Sequence, residues 1–275
     1  MVSCSPSDAP LITEGTEGAP PTWTFAICFG GNLAHLKCLV ESIRRQATHD
    51  DEIVIVADED AEVPASLGAK VIRVDAHSNA LAVKKHRLVA EARGDFLCIL
   101  HDYLELSDGW REGFESLGAR WDVASSPTLD PSRRNRRIAD WMTLDHPIWG
   151  DGLIPYDIRS ETNYMFLSGM YMCLRVEFLR ENNFNFDPTL DRGVPEDQVF
   201  ARLIREGARW EFNVKSRVYS QKRKKFPGTL HVRFVRARLW SNQRGQRFGR
   251  IVNWIFDSVT LRNVLPHVSS VLKRT

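Results

Sequence analysis

Short apolar runs alternate with amphipathic segments over the first hundred residues, and this alternation constrains the fold more than any other feature. Apolar runs cover residues 23–29, 52–57, 71–74 and 96–100, and apolar side chains at helical spacing mark 36–46 and 81–92. Strands that alternate with helices in this way predict a mostly parallel sheet with helices on both faces. We therefore predict an α/β fold with a ligand site at the carboxyl ends of its strands.

The second half of the chain is less regular. We predict a strand at 122–125, a loop-like charged stretch at 130–137 and a long ordered loop at 145–163. An apolar segment at 164–174, helices at 177–182 and from 196 to about 207, and strands at 210–214 and 218–220 follow.

Composition indicates a soluble globular protein. The 275 residues are 43% hydrophobic and 26% charged, and no apolar run reaches the roughly 18 residues that a membrane span needs. The five cysteines are scattered, mostly in apolar runs, which favours buried thiols over disulfides or a zinc site. With a tail-like, polar segment at 1–22, these features lead us to expect a cytoplasmic protein.

Charge is unevenly distributed along the chain. Residues 212–256 contain twelve Lys or Arg and no Asp or Glu, although the net charge of the whole chain is only +2. We predict a basic loop and amphipathic helices over 221–275. Three roles stay open for them: packing on the core, peripheral contact with a membrane, or a homodimer contact. Nucleic-acid binding is not expected, because the chain contains no recognisable binding module.

Carboxylates follow two predicted strands and begin one predicted helix. Asp58 and Asp102 come directly after apolar strands, and the Glu196-Asp197 pair opens an amphipathic helix behind Pro195. Because His101 precedes Asp102, an imidazole and a carboxylate meet where a divalent cation would bind. This mixed ligand set suits Mn²⁺ somewhat better than Mg²⁺.

The order of these motifs resembles that of family 2-type glycosyltransferases with the GT-A fold. The resemblance covers about residues 23–214 and is carried by FAICFGGN, EIVIVADED, AVKKHRLVAEARGDFLCILHDY, FLSGMYMCLR and FDPTLDRGVPEDQVFARLIREG. It implies a catalytic domain at 23–220, with a donor half at about 23–105 and an acceptor half at about 106–220. The implied fold is a Rossmann-like, mostly parallel central sheet flanked by helices.

The resemblance also implies roles for individual residues. Asp197 falls on the base that deprotonates the acceptor hydroxyl, and Glu196 precedes it as in the family's acidic pair. Asp58 falls on the acid that contacts the nucleoside. The remaining donor-binding candidates are Lys84, Lys85, Asp95, Gly169 and Lys222.

The metal motif departs from the family pattern. His101-Asp102-Tyr103 stands where the family has Asp-x-Asp, so Asp102 is the surviving carboxylate, and His231 is the best-placed additional ligand. The implied cofactors are a divalent cation, Mn²⁺ or Mg²⁺, and a nucleotide-sugar, preferably UDP-linked. The implied reaction is an inverting, hexosyltransferase-type displacement onto an acceptor hydroxyl of a small molecule, glycan or lipid-linked sugar.

Two other functions stay open. A sugar nucleotidyltransferase would use a similar sheet, but it would normally carry a Gly-rich, basic phosphate loop after the first strand, and Gly30-Gly31-Asn32 is a short match. A catalytically degenerate, nucleotide-binding scaffold is favoured by the altered metal motif. The intact Glu196-Asp197 pair argues against it.

Overall fold

A seven-stranded sheet forms the centre of the molecule in the computed structural model, which describes residues 21–75, 80–118, 120–131, 136–137, 141–146, 150–153, 165–190, 196–204 and 207–221. Its strands are β1 (Trp23–Cys28), β2 (Glu52–Asp58), β3 (Lys70–Val74), β4 (Phe96–His101), β6 (Val123–Ser125), β12 (Tyr171–Arg175) and β13 (Trp210–Phe212), in the order β13-β6-β12-β4-β1-β2-β3. All pairs are parallel except those made by β12, which runs antiparallel to β4 and β6.

The strand order reverses between β1 and β4, which predicts a crevice at the carboxyl ends of these two strands. The chain moves outward from β1 to β2 and β3, and then returns to the other side of β1 as β4. Connections therefore leave the carboxyl ends of β1 and β4 in opposite directions, and ligands bind at such switch points in open α/β sheets. Cys28 pairs with His101 in the last register position, so the two strands end level with each other.

Helices cover both faces of the sheet, as the alternating pattern predicts. Helix α1 (Leu33–Arg44) begins at Asn32, whose side chain accepts a hydrogen bond from the backbone nitrogen of His35. Its buried residues pack on one face together with α3 (Trp110–Glu115). Helices α2 (Ala80–Glu91), α4 (Val176–Glu181) and α5 (Glu196–Ile204) contribute to the apolar cluster on the other face. The side chains of β1 and β4 alternate between these two clusters.

Two smaller sheets flank the central one and correct the prediction for the middle of the chain. A four-stranded sheet joins β5 (Leu104–Leu106), β14 (Val218–Ser220), β7 (Thr128–Asp130) and β8 (Arg136–Arg137). A three-stranded antiparallel sheet joins β10 (Gly150–Leu153), β9 (Trp141–His146) and β11 (Met165–Leu167). The stretches 130–137 and 145–163, predicted as loops, therefore contribute to the antiparallel pairs β7 with β8 and β9 with β10, because backbone pairing outweighs their loop-like composition.

The predicted segments at 1–20 and 222–275 lie outside the described residues, so the tail and the basic C-terminal helices stay predictions. Among the helices that the structure describes, none is long and apolar enough to cross a membrane. The division of the chain into a donor half and an acceptor half is likewise a prediction.

Candidate active site

Asp102 lies at the switch point of the sheet, directly after β4. Its Oδ2 atom accepts a hydrogen bond of 2.9 Å from the backbone nitrogen of Gly30, and its own nitrogen donates to the carbonyl of Cys28 at 3.3 Å. The residue is 5% exposed. These bonds tie the segment after β1 to the end of β4, so the carboxylate has a fixed place in the crevice.

Lys84 connects the ends of β1 and β2. From α2, its ammonium nitrogen donates to the carbonyl of Phe29 at 2.7 Å and forms an ion pair with Asp58 Oδ1 at 2.8 Å. The side chain of Asp58 is 26% exposed, whereas that of Lys84 is 4% exposed. Lys84 therefore holds the carboxylate from the interior, and Asp58 keeps a side chain that solvent reaches.

Lys85 points in a different direction from Lys84. Its ammonium nitrogen lies 2.6 Å from Glu196 Oε1 at the start of α5 and 5.5 Å from the centre of the Phe186 ring. The lysine is completely buried. Burial alone would lower its pKa, but the attraction of Glu196 and then Asp197 outweighs burial and raises the pKa above its usual value.

Asp197 is held by the loop between β11 and β12. The backbone nitrogen of Gly169 donates to Asp197 Oδ2 at 2.8 Å. A Cβ atom at position 169 would lie 2.8 Å from the Cβ of Asp197 and would also collide with the ammonium nitrogen of Lys85. Glycine is therefore required here by close packing, and the binding of the donor at Gly169 stays a prediction.

The buried Cys28 and the half-buried Tyr103 both lie within the electrostatic reach of these charged residues. The Cys28 thiol lies at the end of β1, and burial raises its pKa to about 12, although Lys85 and Lys84 counteract the shift. Burial also raises the pKa of Tyr103, with smaller contributions from the carboxylates of Asp102, Asp197 and Glu196. The site thus brings four carboxylates and two lysines together: Asp58, Asp102, Glu196, Asp197, Lys84 and Lys85.

The described residues do not supply a complete metal-ligand set. No group of three or more His, Cys, Asp or Glu side chains within them is arranged to hold a cation. The donor set fits instead a cation that takes one or two protein carboxylates and completes its coordination with substrate phosphates and water, as Mg²⁺ commonly does. Asp102 is the carboxylate placed for this role. The ring of His101 packs edge-on against Tyr103, so its role as a ligand stays a prediction.

Of three further candidate residues, the structure places one away from the site and does not describe the other two. Asp95 precedes β4 and accepts hydrogen bonds from the backbone nitrogen and hydroxyl of Thr22, at the opposite edge of the sheet. This corrects the expectation that Asp95 meets the donor: its carboxylate stabilises the start of β1 and β4. Lys222 and His231 lie outside the described residues, so their roles stay predictions.

The sequence interpretation missed two contributors to the site. The sequence predicts only a buried thiol for Cys28 and no role for the carbonyl of Phe29, which accepts from Lys84. The sequence signal for both residues is the pair of glycines that follows Phe29, because the amide of Gly30 donates the hydrogen bond that fixes Asp102. Lys85 was expected near the nucleotide, whereas the structure buries it against Glu196.

No family model matches this sequence, and no curated protein matches it either. Solved structures do match. TarS of S. aureus, residues 1–349 in complex with UDP-GlcNAc, superposes with a TM-score of 0.56 at 15% identity, over 86% of this chain and 73% of that one. The same fragment with UDP gives 0.52 at 13% identity, over 86% and 72% of the two chains. A longer TarS structure gives 0.54 at 15% identity, and the match spans 89% of this chain but only 45% of that one.

This similarity shows the fold. The chain has a GT-A-type architecture, a large and mostly parallel central sheet flanked by helices, and the expectation for the fold class is confirmed. At 15% identity or less, the likeness does not carry ligands or catalytic roles from one protein to the other.

Proposed function

We propose that this protein is a glycosyltransferase that moves a sugar from a UDP-linked donor to an acceptor hydroxyl. One observation carries the proposal: Asp58, Asp102 and Asp197, which come from separate parts of the chain, are held near the ends of β1, β2 and β4, where the order of a GT-A-type sheet reverses. The likeness to TarS, a glycosyltransferase crystallised with UDP-GlcNAc and UDP, supports a UDP-sugar as donor. The resemblance of the motifs to family 2-type enzymes supports the same class.

The donor half of the site suits a nucleoside diphosphate. Asp58, whose side chain is 26% exposed, would accept a hydrogen bond from an N–H group of the nucleobase, and Lys84 orients this carboxylate from behind. Asp102 would hold a divalent cation, which neutralises charge that develops on the departing diphosphate. The six residues comprise four carboxylates and only two lysines, so they cannot neutralise the negative charge of the donor by themselves. This excess of negative charge favours the binding of such a cation.

Asp197 is the group that we assign as general base. Its Oδ2 atom is fixed by Gly169, and it lies in the first turn of α5, beside Glu196. In the proposed step the acceptor oxygen forms a bond to the anomeric carbon while the bond to the UDP oxygen breaks. The acceptor proton passes to the Asp197 carboxylate, and UDP departs with the bonding electrons. Attack from the face opposite UDP inverts the anomeric configuration.

The test compares the wild-type protein with Asp197→Asn, using water as the simplest acceptor. We expect the wild type to release UDP from UDP-GlcNAc with and without candidate sugar acceptors, and the variant to lose roughly 10²–10⁴-fold in turnover, the usual contribution of a general base. UDP affinity should be retained. Proton NMR of the sugar as it is released checks inversion, because an α-linked donor must then give the β-anomer first.

Asp108→Asn is the matched control, since Asp108 has a side chain 89% exposed and lies outside the site. Near-normal turnover in Asp197→Asn would overturn the assignment of the base. UDP binding without any turnover in the wild type would favour the degenerate scaffold. Formation of UDP-sugar from UTP and a sugar 1-phosphate would identify a nucleotidyltransferase instead.

A further inference from the structure

We propose that Lys85 is a positioning residue for Asp197, acting through Glu196, and that it does not contact the donor. The inference rests on the proposed function only for the role of Asp197 as the base. It assigns to the two neighbouring lysines of α2 different tasks: Lys84 serves the donor side of the site, and Lys85 serves the acceptor side.

The direction of the two side chains separates their tasks. Consecutive residues of a helix point about 100° apart, so Lys84 and Lys85 cannot face the same partner. Lys84 reaches the ends of β1 and β2, whereas Lys85 reaches the first turn of α5, 111 residues further along the chain. The ion pair between Lys85 and Glu196 thus joins α2 to α5.

Burial excludes Lys85 from the surface that a ligand meets. Its side chain is 0% exposed, while that of its partner Glu196 is 12% exposed and that of Asp58 is 26% exposed. A lysine buried in this way needs a compensating carboxylate, because an isolated buried charge is strongly unfavourable. Glu196 supplies this charge, and the requirement fixes the position of the first turn of α5.

The position of Asp197 follows from that of its neighbour. Asp197 is the residue after Glu196, and its carboxylate attracts Lys85 as well. Gly169 donates to Asp197 on one side and leaves room for the ammonium group of Lys85 on the other. Lys85, Glu196, Asp197 and Gly169 thus form one packed unit in which the lysine keeps the base within reach of the Gly169 amide.

The experiment uses Lys85→Met, which keeps the length of the side chain and removes its charge. A misplaced base lowers kcat without weakening donor binding, so we expect a loss of about 10²-fold in kcat with KM for UDP-GlcNAc changed by less than about threefold. We also expect faster hydrogen exchange of the Gly169 amide, followed by NMR, because its acceptor is no longer held in place. Lys70→Met breaks a partly exposed ion pair with Glu91, which lies on the same helix as Lys85. This control should change neither kcat nor the hydrogen exchange of the Gly169 amide.

A second variant keeps the test decisive where Lys85→Met fails to fold. In Lys85→Met/Glu196→Gln no unpaired charge is buried, so the protein should fold, and it should still show low kcat and an unprotected Gly169 amide. A rise in KM for the donor at unchanged kcat, or an amide protected as in the wild type, would overturn the proposal. If the wild type shows no turnover while the Gly169 amide loses protection in Lys85→Met, the proposed function fails and the positioning role stands.

Discussion

Lys85 and Glu196 form an ion pair at 2.6 Å in which the lysine is completely shielded from solvent. Such a pair is costly to bury, and replacing both partners with neutral groups of similar size is often neutral for stability. Its presence beside Asp197 is therefore better explained by a requirement of the site than by a requirement of folding. The stability of variants at Glu196 and Lys85 separates these two explanations.

Glu196→Gln should lower the free energy of unfolding by about 3–5 kcal/mol, because it leaves Lys85 charged and buried without a partner. Adding Lys85→Met should restore most of this loss. Urea denaturation at pH 7 measures both values. Glu91→Gln is the control: it breaks the partly exposed pair with Lys70, at 2.7 Å, and should cost less than about 1 kcal/mol. Equal losses in Glu196→Gln and Glu91→Gln would contradict the prediction.

Gly169→Ala should impair the protein although only one methyl group is added. The new Cβ atom would lie 2.8 Å from the Cβ of Asp197 and would collide with Lys85. Overpacking of this kind costs about 1–3 kcal/mol, and we expect turnover to fall because the base is displaced. Thermal unfolding and UDP release from UDP-GlcNAc measure the two effects. Gly207→Ala should be tolerated, since its Cβ would meet Phe178 at an ordinary 3.8 Å. Full activity in Gly169→Ala would show that this packing is not needed.

The elements that sequence predicts well are those whose pattern is local. The strand β4 is a continuous apolar run, typical of a strand buried on both faces, and it is found at Phe96–His101. Helix α5 begins at Glu196 as predicted, because an acidic first turn and a periodic apolar face lie within nine residues. Strands β7 and β8 are missed because they have only three and two residues, too few to show a pattern, and because the partner of β7 on its other side, β14, lies far along the chain.

The arrangement of charges in the site was only partly predictable. Motif resemblance singles out Asp58, Asp102 and Asp197, because strand ends and helix starts can be located from sequence. It does not reveal that Lys85 is buried, since lysine is rarely found inside proteins and its partner lies 111 residues away. It also misplaces Asp95, whose position before β4 puts it at the edge opposite the site.

Asp58→Asn should weaken UDP binding about 10–100-fold, the usual loss when a charged acceptor of a hydrogen bond is neutralised. The physical reason is the charge of this carboxylate, which Lys84 holds in place and which belongs to a side chain 26% exposed to an N–H donor of the nucleobase. Isothermal titration calorimetry with UDP measures the change. Glu59→Gln, at the adjacent exposed position, should bind UDP as the wild type does. Unchanged affinity in Asp58→Asn would remove this residue from the proposed nucleoside site.

Removal of divalent cations should weaken the binding of UDP to the wild type. It should change the UDP affinity of Asp102→Asn only slightly. The asparagine variant retains an acceptor for the amide of Gly30, so the end of β4 should keep its structure while the charge that would hold a cation is lost. Calorimetry with UDP in EDTA, and then with Mg²⁺ or Mn²⁺, measures the dependence. Asp60→Asn, at an exposed site, serves as the control. Equal cation dependence in wild type and Asp102→Asn would exclude Asp102 as the ligand.

The Cys28 thiol should make stability depend on pH in a defined direction. Burial raises its pKa from an ordinary 9.0 to about 12 in the folded protein, so between these values the unfolded chain loses a proton that the folded protein keeps. The contribution of Cys28 to stability is therefore complete below pH 9 and declines as the pH rises toward 12. From pH 8 to pH 10, the wild type should lose about 1.4 kcal/mol relative to Cys28→Ala. Urea denaturation at both pH values measures this difference.

Val40→Ala, which removes buried volume without a titrating group, should differ from the wild type by the same amount at both pH values. A pH-independent difference for Cys28→Ala would mean that the thiol is not held in the buried, carboxylate-lined position at the end of β1.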